Sequence, residues 1–109
     1  MITFDEFAKV EMRVGKVMAA EKVEGSEKLL RLEVDFNEEE RRQVVSGIAK
    51  TFTEPEVLVG ESFLFVTNLE PREIMGLESQ AMIVAAKKED GEIVLMEPSS
   101  EVEPGAKLS

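Results

Sequence analysis

The chain has no cysteine and no histidine. Without cysteine there is no disulfide and no thiol nucleophile. Without histidine the commonest general base and the commonest metal ligand are both missing. A Ser-His-Asp triad and a zinc site built from Cys and His are therefore excluded. Long apolar runs are also lacking: no stretch approaches the roughly 20 residues that cross a bilayer. The opening Met1-Ile2-Thr3-Phe4-Asp5-Glu6 is acidic, where a secretory signal carries positive charge and then an apolar stretch. These absences suit the cytoplasm and leave an enzyme only carboxylates, lysines or a bound cofactor to work with; the expectation is a non-enzymatic protein with no cofactor, no metal and no membrane partner. Positive charge is scarce as well. Thirteen Lys and Arg face 23 Asp and Glu, a net charge of −10, and acidic surfaces repel nucleic acid. The imbalance is uneven, however. Residues 1–52 hold 9 basic and 11 acidic side chains, and residues 53–109 hold 4 and 12. The first half has room for a local basic face.

What is present reads as one all-β domain over residues 1–109. At this size roughly 60–70% of the unfolded surface can be buried, enough for a single core. The exception to the β pattern is the start. Thr3 and Glu6 form a capping box, and Ile2 and Phe7 stand at staple spacing. The short helix they frame carries Phe4, Phe7 and Ala8 on one face. One or two turns cannot persist alone, so the helix must dock on something.

Strands follow. Met12, Val14, Val17 and Ala19 alternate with polar residues, with a phase slip near Gly15 that points to a bulge or sharp coiling there. Leu30, Leu32, Val34 and Phe36 give the clearest half-buried strand. Asn37–Glu40 is a polar turn and Arg41–Ile48 a third strand. Thr51–Gly60 is a connection with room for one helical turn. Ser62–Leu69 is a strand whose Phe63 and Phe65 belong to the core rather than to base stacking. Pro71–Gly76 reads as a loop, Ser79–Ala86 as a strand, and Asp90-Gly91 as a hairpin turn into Ile93–Met96. Five or six short strands with turns every 8–12 residues make a small barrel or sandwich. Periodicity does not choose between these two.

Three motif-like stretches fail on inspection. Asp35-Phe36-Asn37-Glu38-Glu39 opens like a calcium loop but has Glu40 at the glycine position and Ser46 at the final glutamate. Gly15-Lys16 lacks both the earlier glycine and the following Ser/Thr of a phosphate loop. Ser46 and Ser79 lack the glycine-flanked elbow of a nucleophile.

Several colinear blocks carry a resemblance. These are Phe4–Val10, Met12-Arg13-Val14-Gly15-Lys16-Val17, Glu27-Lys28-Leu29-Leu30-Arg31-Leu32, Val45-Ser46-Gly47-Ile48-Ala49, Asn68–Met82 and Pro104-Gly105-Ala106-Lys107-Leu108. Together they resemble the tRNA-binding domain found at the C-terminus of many methionyl-tRNA synthetases. The same domain occurs as a free-standing bacterial tRNA-binding protein and in an endothelial-monocyte-activating cytokine precursor. The chain departs from the pattern at Glu73, where many members have lysine, and at Ala81, where many have glycine.

The resemblance implies an OB-fold five-stranded barrel with a short N-terminal helix and extra C-terminal strands. It implies nonspecific binding to the outer corner of tRNA, and homodimers formed through the added elements. It leaves two settings open, an appendage to a synthetase catalytic domain or a free-standing accessory protein. Its export-chaperone branch, which holds unfolded peptides, supplies an alternative function as a dimeric protein-interaction module.

Candidate RNA contacts follow from charge and from the matched positions. Lys28, Arg31 and Arg42 can meet phosphate, which asks for charge without exact geometry; their competing use is a cross-strand ion pair with Glu33, Asp35 or Glu40. Arg72, behind Pro71, can aim a planar guanidinium. Asn68 is either a turn former or a base reader. Ser46 and Ser79 can donate to phosphate or ribose, and Met82 can pack on a nucleotide or into the core. Ile2, Phe4, Phe7, Val102 and Leu108 are the candidate dimer contacts.

Overall fold

The Leu30-Leu32-Val34 alternation forms the strand the sequence predicts, with every second side chain buried. In the computed structural model, which describes residues 1–109, this strand (β2, Leu30–Asp35) lies between β1 (Met12–Lys22) and β3 (Arg42–Ser46). β4 (Ser62–Val66) pairs with the other side of β1, and β7 (Met82–Ile83) follows it, giving one antiparallel sheet in the order β3-β2-β1-β4-β7. The length of β1 is what lets the sheet curl. Its residues Met12–Lys16 pair with β4 and Lys16–Lys22 with β2, so the two pairings overlap only at Lys16.

The expected bulge is displaced. Register slips between Val17 and Ala19, while Gly15 sits in regular pairing opposite Phe63. Gly15 is required for space instead: a Cβ there would lie 2.6 Å from the side chains of both Phe36 and Val34. The apolar parity changes there because Val14 is covered by the C-terminal tail on one face, while Gly15 and Val17 face the core on the other.

The barrel closes between β3 and the chain around Gln80. Gln80 N–H donates to Gln43 O at 2.8 Å, Gln43 N–H donates to Gln80 Oε1 at 2.8 Å, and Val45 N–H donates to Ser79 Oγ at 3.0 Å. Side chains thus stand in for a regular ladder at this seam. The interior holds Val17, Leu30, Leu32, Val34, Phe36, Val44, Phe63 and Phe65, with Ile83 and Leu95 from the later strands. Phe36 and Phe65 meet edge to face at 5.2 Å. The barrel with its short helix and C-terminal strands is OB-like, as expected.

The second half is more finely divided than its sequence reads. Pro71–Gly76 is not a plain loop. Arg72–Ile74 (β5) and Leu77–Ser79 (β6) form a hairpin whose turn residues, Met75 and Gly76, have φ of 50° and 80°. Two positive φ values are the signature of a type I′ turn, and Met75 gives no hint of one in sequence. The single strand expected over Ser79–Ala86 is three pieces: the end of β6, then β7, then β8 (Ala85–Lys87). Each finds a different partner, because the chain crosses the seam there. β8 pairs with β9 (Ile93–Leu95) around Asp90-Gly91, as expected, with Glu92 N–H donating to Asp90 Oδ1 at 2.9 Å. Pro55–Leu58 supplies the single helical turn of the connection.

The helix (α1, Phe4–Phe7) has its full capping box: Glu6 N–H donates to Thr3 Oγ1 at 3.2 Å, and Thr3 N–H to Glu6 Oε1 at 3.3 Å. No residue of α1 is buried within the chain. The C-terminal tail runs along the part of β1 that β2 leaves free. Val14 N–H donates to Ala106 O, Gly105 N–H to Val14 O and Leu108 N–H to Met12 O, at 2.7–2.9 Å. Tail and helix end up side by side. No helix is long and apolar enough to cross a membrane.

Candidate nucleic-acid interface

The β5–β6 hairpin folds over the open end of β3. Cross-strand pairing sets Arg72 opposite Ser79, and the Ser79 hydroxyl bonds to Val45 N–H and to Ala81 O (3.1 Å). Ser79 is buried, so its hydroxyl is committed to the seam. Between hairpin and barrel lies a small hollow of about 70 Å³ lined by Ser46, Leu69, Arg72, Ile74, Met82 and Ile83, among others. Its floor is apolar and its rim polar. Met82 stands half exposed beside it, which sets aside core packing for this methionine. Arg72 is exposed and makes no ion pair. The structure therefore brings Ser46, Arg72, Ser79 and Met82 to one place. Leu69, Ile74, Ala81 and Ile83 complete the wall, Leu69 half exposed and Ala81 and Ile83 buried; the sequence names none of them as a contact, because an apolar residue carries no chemical signal of its own.

The other named residues divide. Lys28 is exposed and unpaired, at the end of the β1–β2 turn. Arg31 is paired with Glu21 on the neighbouring strand, and its Nη1 donates to Gln43 Oε1 at 3.2 Å. Asn68 ties the segment between α1 and β1 to the barrel: Glu11 N–H donates to its Oδ1 at 2.8 Å and its Nδ2 donates to Lys9 O at 2.6 Å.

Arg42 lies at the far end of β3 from Ser46. It grips Glu38 with Nε and Nη2, both at 2.9 Å, and its Nη1 donates to Thr67 O at 2.6 Å and Gln80 O at 3.2 Å. It also rests over the Phe36 ring, 5.4 Å from the centroid. The partner it takes, Glu38, differs from the acids its strand position singles out, because the Asn37–Glu40 turn swings back across β3.

A charge network runs from this point. Arg13 bridges Glu38 (3.2 Å) and Glu11 (3.1 Å), and Lys107 of the tail reaches Glu11 at 3.5 Å. The hydrogen bond from Arg42, with the charges of Arg42 and Arg13, holds Glu38 below the usual carboxylate range against partial burial. The hydrogen bond from the Thr67 hydroxyl (2.8 Å), then Arg13 and Lys107, does the same for Glu11. The bond to Glu38 in turn raises Arg42. This network ties β1, the β2–β3 turn and the tail to one another.

The dimer candidates also separate. Phe4, Phe7 and Leu108 share an open groove of about 500 Å³ with Ala8, Val10 and Met12. Ile2 is exposed just before it, and Val102 lies in a neighbouring hollow that Leu108 also lines.

Known proteins share this sequence and fold. A family described as "Putative tRNA binding domain" matches residues 12–107. The methionine–tRNA ligase of Methanocella arvoryzae is 49% identical over 107 residues, covering 98% of this chain and 15% of the ligase. That of Thermotoga maritima is 49% identical over 108 residues, covering 99% and 17%. The chain thus spans about one-sixth of the length of these relatives. Among solved structures, a MetRS-related protein from Pyrococcus horikoshii superposes with a TM-score of 0.90 at 44% identity, covering 100% of this chain and 98% of that one. The chaperone CsaA from Bacillus anthracis superposes at 0.89 with 32% identity, covering 100% and 99%. A family match from Met12 to Lys107, with relatives near half identity across the whole length, makes this chain a member of the tRNA-binding domain family.

Proposed function

We propose that this domain binds the outer corner of tRNA with little regard for tRNA identity, and that it contributes binding rather than catalysis. The observation that carries the reading is Arg72. It is an unpaired guanidinium on the rim of an apolar hollow, beside the half-exposed Met82 and the Ser46 hydroxyl. A planar cation next to a small apolar floor suits a phosphate with its nucleotide. Lys28 extends the positive rim. The ligase relatives support a setting in cytoplasmic protein synthesis, either appended to a methionyl-tRNA synthetase catalytic domain or free-standing. In the appended setting the domain raises the local concentration of tRNA at the catalytic part without a tighter contact of its own.

The domain works as a homodimer in this reading. Phe4 is 78% exposed and Phe7 about half exposed. A four-residue helix with no buried residue has little to hold it in a monomer, and a second copy would cover the groove it shares with Leu108. The likeness to the CsaA chaperone favours a second reading, in which the same dimer holds extended peptide in the apolar hollow.

Fluorescence anisotropy with total tRNA, across a range of salt, tests the first reading. Binding whose affinity falls with salt at a slope of roughly −3 to −5 corresponds to about four to six phosphate contacts. Arg72→Ala weakens it, while leaving the melting temperature unchanged. No binding near 50 mM salt, with suppression of client aggregation instead, selects the chaperone reading.

A further inference from the structure

Six of the thirteen cations, Arg13, Arg31, Arg41, Arg42, Lys88 and Lys107, form ion pairs. The rest do not, although acids outnumber cations on this chain. Four of the unpaired ones follow one another around an end of the barrel. Arg72 shares the hollow with Ser46. Ser46 pairs with Leu30 at the start of β2, just after Lys28. The Lys28 carbonyl accepts the Ala49 N–H at 3.0 Å, which sets Lys50 beside Lys28. Ile93 N–H donates to Thr51 Oγ1 at 3.1 Å, and Ile93 pairs with Lys87. Lys50 and Lys87 consequently line one open groove, with Thr51, Asp90, Gly91 and Glu92.

Neither acid of that groove forms an ion pair with Lys50 or Lys87. Glu92 is paired with Lys88 at 2.7 Å, and Asp90 Oδ1 accepts the Glu92 N–H. Both lysines are therefore without an ion-pair partner. Strand spacing puts the Lys28–Lys87 run at roughly 15 Å. Flexible, evenly exposed ammonium groups over that distance do not recognise a small molecule, which asks for convergent donors. They suit a chain of phosphates, which asks for charge along a path.

We propose that Lys50 and Lys87 continue the RNA interface from Lys28 around the end of the barrel, as a phosphate-tracking arm separate from the Arg72 hollow. The proposal rests on the tRNA-binding reading. On it, the hollow positions one nucleotide and the arm follows the backbone beyond it.

The test is tRNA binding against salt for the full chain, for Lys50→Ala/Lys87→Ala, and for Lys16→Ala as a control. Lys16 is also unpaired but faces a groove holding Glu61, Glu101 and Glu103, opposite the other end of β2. The double variant is expected to lose about two from the salt slope and roughly tenfold in affinity per lysine at 0.1 M salt. Lys16→Ala is expected to keep the original slope. Melting temperatures confirm that all three are folded. A double variant that binds as tightly as the unaltered chain, with the same slope, overturns the arm and leaves the tRNA reading standing. An equal loss in Lys16→Ala overturns it too, since net charge alone would then account for the effect. Failure of the unaltered chain to bind tRNA defeats the underlying reading itself, and the arm with it.

Discussion

Alanine at Gly15 tests how closely β1 is wrapped over the core. The added carbon would sit 2.6 Å from Phe36 Cε1 and from Val34 Cγ1, well inside the roughly 3.5 Å at which carbon atoms attract. Neither neighbour can withdraw. Val34 is fully buried and Phe36 is 2% exposed. The Phe36 ring is held against Phe65 at an interplanar angle of 85°, with the Arg42 guanidinium above it. Forcing a methyl into such packing costs about 1–3 kcal/mol. Restricting the unfolded chain by replacing glycine returns about 0.5–1 kcal/mol. Central values leave a net loss of about 1 kcal/mol, and for a domain near this size each kcal/mol is about 4–8 °C in Tm. Urea titration followed by circular dichroism should show a lower midpoint with an unchanged slope. Val34→Ala supplies the second arm. It removes the methyl that collides, so it should cost less in the Gly15→Ala background than alone, by at least about 0.5 kcal/mol. A Gly15→Ala protein as stable as the original, or two substitutions whose effects simply add, would refute the reasoning.

Other outcomes follow from the same contacts. Glu11 and Glu38 have folded pKa values below the ordinary 4.5, so their contribution to stability is complete above that value and is lost as pH falls through the depressed folded values. Thermal melts from pH 6 downward should therefore show a steep acid loss that Glu38→Gln flattens; an unchanged pH profile contradicts the network. Ser79→Ala leaves the buried Val45 N–H without its acceptor and should cost about 1–3 kcal/mol, read as a lower denaturation midpoint. Phe4→Glu places charge in the groove shared with Leu108 and should halve the mass seen by sedimentation equilibrium; an unaltered chain that is already monomeric at high concentration removes the dimer reading.

The first half of the chain is legible because its elements follow local rules. The capping box at Thr3 and Glu6 and the Leu30–Phe36 alternation appear where the sequence puts them, and in the second half so does the Asp90-Gly91 turn. Gly15 is read correctly as special, but the bulge lies at Val17–Ala19, since the change of apolar face around Gly15 comes from the tail that covers Val14 and not from a slipped register. The candidate site is legible in part. The matched positions name Ser46, Arg72, Ser79 and Met82, and the fold gathers them. Which of them remain available is not a local property: the Ser79 hydroxyl and the Arg42 guanidinium are taken up by backbone groups more than thirty and twenty residues away.

By itself the sequence determines an all-β domain without cysteine or histidine chemistry, and through its colinear blocks the family to which it belongs. Tertiary structure decides how the barrel closes, because the seam at Gln43, Ser79 and Gln80 uses side chains in place of a ladder. It also decides which cations are free. Charge counts cannot distinguish Arg42, locked between Glu38 and two carbonyls, from Arg72, with no partner. Hydrogen bonding and ion pairing depend on distances between strands, and those distances exist only once the barrel has formed.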